Sequence, residues 1–469
     1  MRTFFIFLFF SFFLFKLQLF AQYEIKVIYP QAADSTLTFA YYLNQNLLNK
    51  ETVKADKEGT CIIKGKRKLP QGIYSILLNK GDHYDFLIGT NQNLTVKINP
   101  SVPYPEVTGN KESVAFMDYQ AFLQKNQEIR SRLTVKLQKP GLTNDSIDAI
   151  QKQLKQQDHK VIQYWKQQVA LYPGSMLAIF LQSLIIPETP KFELPGNTPH
   201  RDSLMWVMEY NYQHQHNLDN FPFNDERVLR TPVFSTKIKS YLEDLTLQNP
   251  DSITNAVNEI VKRCQGVVRQ NVLNTIIELM INSKVMGMDR AFVYTAEKYY
   301  LRNTPSWVDQ ATLKKIKEQV DLNSPNMIGK IAPDLMLPST EEGRFYRLSE
   351  VNALYTVLIF WEPNCGYCKD EIPKLLKQVY IPYKDSGVEI FAVNTQTDKV
   401  AWNKFIEEHD LQNWIHVYDP DRSSRFWRLY NLTTTPCIYL LDKDKHILAK
   451  KINVKTLKMI LDQKLRFWH

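Results

Sequence analysis

From Gln22 to about Pro103, apolar and polar positions alternate in short runs. The stretch 23–29 (Tyr-Glu-Ile-Lys-Val-Ile-Tyr) shows the period of two, and 37–42, 73–78, 85–88 and 94–98 are rich in β-formers. Gly, Asn and Asp break these runs, a spacing that predicts a small antiparallel β-sandwich over 22–105. Over 106–325 the period lengthens. Segments 113–137, 146–172, 236–247, 253–263 and 271–288 carry apolar residues at i, i+3 and i+4, which predicts an α-helical domain of antiparallel packing. Pro173-Gly174 and the proline-rich stretch 187–199 divide it. Residues 322–326 read as a linker. Beyond them, 355–361, 388–393, 437–441 and 446–449 are strand-like, with helical patterns at 368–379, 399–409 and 454–465. Buried parallel strands joined by crossover helices predict an α/β domain over 326–469.

The first 21 residues stand apart. Arg2 precedes an almost wholly apolar run from Phe4 to Phe15, then comes Lys16, and a small residue, Ala21, sits before Gln22. This is the pattern of a cleaved secretory signal. A retained anchor is the rival reading, but a dozen apolar residues fall short of the roughly 20 that a spanning helix needs. Cleavage would remove Arg2 and Lys16 and no acid, lowering the formal net charge from +9 to +7. The basic excess sits in short clusters such as 64–68 and reads as a solvated surface. Nucleic acid is not an expected partner of an exported chain. Of 469 residues, 44% are apolar and 23% charged, which excludes a disordered chain and is too long for one core.

Five cysteines, Cys61, Cys264, Cys365, Cys368 and Cys437, are too few and too scattered to staple the chain together. The close pair needs a chemical explanation. Cys365-Gly366-Tyr367-Cys368 follows a buried strand and opens a helix. Spacing i, i+3 in the first turn brings the two sulfurs within bonding reach, and the positive end of the helix favours a thiolate. Cys365 then reads as the attacking thiol and Cys368 as the resolving one. The rival readings are half of a zinc site, which lacks a second ligand pair here, and a plain structural disulfide. His214 and His216, at i and i+2, do not share a helix face, so no metal is expected. Cys437 reads as a core cysteine, with a third redox thiol as the alternative.

A strand ending in Phe360-Trp361, then Cys365-Gly-Tyr-Cys368, a helix, and Thr435-Pro436 ahead of a later strand resembles the thioredoxin superfamily. Gly329-Lys-Ile-Ala-Pro333-Asp334, Glu371-Ile-Pro373 and the run 387–394 bring it nearest the TlpA/ResA-like exported branch. The regions ahead of it are similar to the N-terminal extensions of such proteins in Bacteroidota. The resemblance implies a cis Pro436 facing the dithiol and a Thr435 backbone able to pair with an extended substrate. It also implies a helix kink at Pro373 and an acidic Glu371 that relays a proton to or from Cys368. With Trp361, Thr435 and Pro436 are expected to bind substrate, although Trp361 also reads as packing beneath the motif. Glu362 ranks below Glu371. Where ordinary thioredoxins carry a buried Asp, this chain has Ile359.

The expectation is a multidomain thiol–disulfide oxidoreductase of the periplasm or cell envelope, with a redox disulfide Cys365–Cys368 and no cofactor. It would reduce or isomerise disulfides of exported proteins, drawing electrons from a membrane-bound thiol–disulfide donor. The alternatives are a dithiol oxidant that forms disulfides, and a binding protein whose redox domain is incidental.

Overall fold

The computed structural model describes residues 21–78 and 81–466; the predicted signal segment, apart from Ala21, lies outside them. The chain forms two compact units, divided between Ile238 and Lys239.

The first unit begins with eight strands: β1 (Tyr23–Ile28), β2 (Thr36–Leu43), β3 (Asn46–Lys54), β4 (Thr60–Gly65), β5 (Gly72–Leu77), β6 (His83–Ile88), β7 (Asn93–Lys97) and β8 (Glu106–Thr108). They make two four-stranded sheets, ordered β4-β1-β7-β8 and β3-β2-β5-β6. Inward residues such as Ile25, Phe39, Ile76, Phe86 and Val96 fill one core, each contributing roughly 1.5–3 kcal/mol by burial. The sandwich is not wholly antiparallel as expected, because β1 and β7 pair in parallel. Four helices follow, α1 (Lys111–Leu137), α2 (Asn144–Leu171), α3 (Met176–Leu184) and α4 (Arg201–His216). Phe116 of α1 and Phe180 of α3 belong to the same core as the strands. The division between the two units falls inside the helical stretch 106–325, whose first helices complete the β-rich core.

Helix α5 (Val233–Glu243) spans the division. The second unit continues with α6 (Pro250–Arg263), α7 (Gly266–Ile281), α8 (Met288–Ala296) and α9 (Gln310–Asn323). Capping residues set several starts: the Asn249 side chain accepts from the Ser252 N–H, and Asp309 from the Thr312 N–H. The expected linker at 322–326 is a docked element instead. Asn326 is fully buried, and its Nδ2 donates to the carbonyls of Leu322 and Leu429.

Next come β9 (Met336–Pro338) and β10 (Phe345–Arg347), a small hairpin, then β11 (Tyr355–Trp361) and α10 (Gly366–Leu375). After α10 and a π-helical turn follow α11 (Ile381–Tyr383), β12 (Val388–Asn394), α12 (Lys399–Glu408) and β13 (Ile415–Tyr418). The chain ends with α13 (Phe426–Leu429), β14 (Cys437–Asp442), β15 (Ile447–Ile452) and α14 (Val454–Arg466). The sheet order is β13-β12-β11-β14-β15, a thioredoxin-like arrangement. It is mixed rather than parallel, since β14 runs antiparallel to both β11 and β15. The central strand β11 is buried on both faces, which is why its sequence is continuously apolar. Trp361, Ile359 and Val357 face one core, Phe360 and Leu358 the other. Among the described residues, no helix is long and apolar enough to cross a membrane.

Candidate active site

Strand β11 ends at Trp361, and the turn that follows delivers Cys365 to the N-cap of α10. There the free backbone N–H groups of the first turn point toward the thiol. The Thr435–Pro436 peptide bond is cis and leads into β14. Cys365 Sγ donates to the Thr435 carbonyl oxygen at 3.3 Å. Burial opposes ionisation of Cys365, but side-chain interactions with Thr435 and Cys368 and the N–H groups of Cys368 and Tyr367 hold its thiol below the ordinary cysteine value. Cys368, one turn further on, is fully buried. Burial pushes its thiol up to about 12, partly offset by the Glu362 N–H and reinforced by the neighbouring Cys365. Both thiols are free. The pair thus comprises one accessible, acidic thiol and one covered, weakly acidic thiol.

The structure separates the remaining expected residues. Pro436 and Thr435 are half-buried beside the dithiol. Trp361, expected to bind substrate, is 0% exposed and packs on Phe405 with ring centroids 5.0 Å apart, beneath the motif. Its position at the buried end of β11 turns the indole into the core. Glu371 lines a groove with Tyr367, Thr435 and Pro436. Its Oε1 accepts from Lys374 Nζ at 2.9 Å and its Oε2 from the Val454 N–H at 3.3 Å. Pro373 lies inside α10, which passes into a π-helical turn at Leu376–Tyr380. Its ring removes the N–H that would have answered the Lys369 carbonyl.

Glu362, ranked low from sequence, is built into the site. Its Oε1 accepts from Thr435 Oγ1 at 3.2 Å, and its Oε2 from Gln396 Nε2. Its adjacency to the strand end was the only available signal, since Thr435 lies 73 residues away. Cys437 is buried among Phe360 and Tyr439 on the opposite face of the sheet from Cys368, and burial raises its thiol to about 11. That placement fits a core cysteine. Among the described residues, one set of metal-ligating groups comes together, Asp442, Asp444 and His446 at the β14–β15 turn. Asp442 Oδ1 there accepts the N–H groups of Asp444 and His446, so the turn itself accounts for the cluster. His214 and His216 lie on α4, and His216 bonds to Asp219.

Residues 328–450 match the AhpC/TSA family, residues 205–326 a domain of unknown function (DUF5106) and residues 23–116 another (DUF4369). The thiol-disulfide oxidoreductase ResA of Geobacillus thermodenitrificans is 34% identical over 130 residues, 28% of this chain and 71% of that protein. ResA of Bacillus subtilis is 31% identical over 134 residues, 29% of this chain and 72% of its own. Among solved structures, a domain of a possible thiol-disulfide isomerase from Cytophaga hutchinsonii is 34% identical. It covers 30% of this chain and 95% of that one, with a TM-score of 0.28. The two ResA proteins are each at least 30% identical and matched over more than two thirds of their length, and through its C-terminal thioredoxin-like domain the chain belongs to the ResA-type thiol–disulfide oxidoreductases.

Proposed function

We propose that this oxidoreductase reduces or isomerises disulfides of exported proteins through Cys365 and Cys368. The observation that carries the reading is the contrast between the two thiols. The Cys365 thiolate attacks one sulfur of a substrate disulfide; the substrate S–S bond breaks as the Cys365–substrate bond forms, and the departing thiolate takes up a proton. Cys368 then gives up its proton and attacks Cys365 Sγ, releasing the second substrate thiolate. Two electrons pass to the substrate, and the enzyme is left as the Cys365–Cys368 disulfide. A membrane-bound dithiol protein outside the cytoplasm would restore the reduced form.

Thr435 and Pro436 present backbone to the substrate segment, with the Thr435 side chain steadied by Glu362. Glu371, at i+3 from Cys368, supplies a carboxylate to which the Cys368 proton can pass once Lys374 releases it. The test is a trap. Full-length Cys368→Ser should accumulate mixed disulfides that Cys365→Ser does not, and their identification would name the substrates. Trapping through Cys368 in the Cys365→Ser protein would reverse the roles. A reduction potential near about −270 mV is expected of a reductant, whereas a value near about −120 mV would make the protein an oxidant.

A further inference from the structure

Two grooves of the second unit share a wall. The first, ≈ 440 Å³, runs beside the dithiol between Tyr367 and Glu371 of α10 and the loop carrying Thr435 and Pro436. The second, ≈ 510 Å³, opens between the α7–α8 connection and β15, with Ile281, Val285 and Met286 on one side and Asn431 on the other. Lys451, Ile452 and Asn453 line both. They form the end of β15 and the residue after it, and β15 is the outermost strand of its sheet. The start of that strand is covered: the Gly329 N–H donates to the Ile447 carbonyl, and the Ile447 N–H to that of Lys330. Its end is left as the floor of the two grooves.

The floor is firmly held. Lys450 Nζ, on a side chain 7% exposed, pairs with Asp289 of α8 and donates to Asn326 Oδ1 at 2.8 Å. Lys451 Nζ donates to the Asn431 carbonyl at 2.8 Å, and Asn431 Nδ2 to Asn323 Oδ1 at 3.0 Å. The helices are thus fixed to the strand that follows the cis-proline strand, and their far rim carries three exposed apolar side chains beside Ser283 and Lys284. Ile281, Val285 and Met286 are 48%, 40% and 44% exposed. A disulfide of two small thiols has no use for that rim, whereas a polypeptide does, because an extended chain advances by roughly 3.3 Å per residue and can continue along a strand end.

We infer that helices α7 and α8 extend the surface on which the polypeptide substrate proposed above is held. Its chain leaves Cys365 past Pro436, follows residues 451–453 and seats an apolar side chain among Ile281, Val285 and Met286. The inference rests on the dithiol chemistry proposed above, and the two electrons again come from Cys365 and Cys368. The test compares two probes on the full-length protein: bis(2-hydroxyethyl) disulfide, and a synthetic linear peptide with an internal disulfide flanked by leucines. In Val285→Glu/Met286→Glu, the ratio of kcat/KM for the peptide to that for the small disulfide should fall about tenfold, the scale of losing a small apolar anchor. Ile281→Lys, on the same lip, should lower it in the same sense. A ratio equal to that of the unmodified protein in both variants overturns the inference and leaves the dithiol reading intact. Reduction of neither probe by the unmodified protein overturns both.

Discussion

The thiol of Cys365 lies 3.3 Å from the carbonyl oxygen of Thr435, 70 residues along the chain. Helix α10 holds one partner at its N-cap and the loop ahead of β14 holds the other, so two elements far apart in the sequence set the contact. The thiolate is favoured at Cys365 and opposed at Cys368, whose thiol stands at about 12. Limited alkylation of the reduced protein near pH 7 should therefore modify Cys365 first. Its rate should reach half of its plateau below the ordinary cysteine range. Peptide mapping that found Cys368 labelled first would defeat the assignment.

Glu371→Gln probes the step that Cys368 finds hardest. The amide keeps an acceptor for the Val454 N–H and loses the ion pair with Lys374, a solvent-screened contact of little weight. The fold should persist. Decay of a preformed mixed disulfide, followed in single turnovers, should slow by about 10²-fold if the carboxylate takes the Cys368 proton. An unchanged rate would leave Glu371 as the acceptor for the α14 N-terminus and nothing more.

The dithiol and its strand were legible because both are local. An uninterrupted apolar run marks β11, and Cys365 and Cys368 need only one helical turn to meet. What depends on distant partners was not legible. Asp289 and Lys450 pair across 161 residues, and nothing local in the sequence joins them. Strand β13 is four residues long and holds His416 in its middle, too short and too polar for a periodic signal. Strand β3, almost wholly exposed, had no apolar face to announce it. Trp361 was assigned both to packing and to substrate because position next to a motif does not tell inward from outward; the pairing of β11 between β12 and β14 decides it. The same limit explains the helical stretch. Phe116 and Phe180 carry no sign of facing a β-sandwich rather than one another's helices.

The pair Lys450–Asp289 should be costly to break from one side. Asp289→Ala leaves a buried ammonium whose remaining partners are the two oxygens of Asn326. Because those oxygens stay, the loss should fall near the lower end of the usual range, about 3 kcal/mol. Replacing both partners, Asp289→Leu with Lys450→Met, should recover most of it, since no unpaired charge remains. Denaturant midpoints of the single and double variants check this. A double variant as unstable as the single would mean that the contact matters for shape rather than charge.

His416 gives the fold a defined acid sensitivity. Its ring stacks on Trp414 at 6.0 Å and meets Trp361 and Trp402 at 6.4 Å each. It bonds through Nε2 to the Leu411 carbonyl at 2.8 Å. Nε2 must carry the proton there, so acid would add the second proton at Nδ1, which has no hydrogen-bond partner among the described residues. Burial disfavours the charged ring more than its bond to Leu411 supports it, and the ring is held down to about 4. The unfolded chain takes up this proton near its ordinary value of 6.5, above the folded one. The folded state therefore binds fewer protons across that interval, and its stability is full above pH 6.5 and lost as pH falls toward 4. The loss should be on the order of 3 kcal/mol. His416→Gln, able to keep a donor for Leu411, should flatten the dependence between pH 6.5 and 4 in unfolding followed by tryptophan fluorescence. An unaltered slope in that variant would place the acid sensitivity in the carboxylates instead.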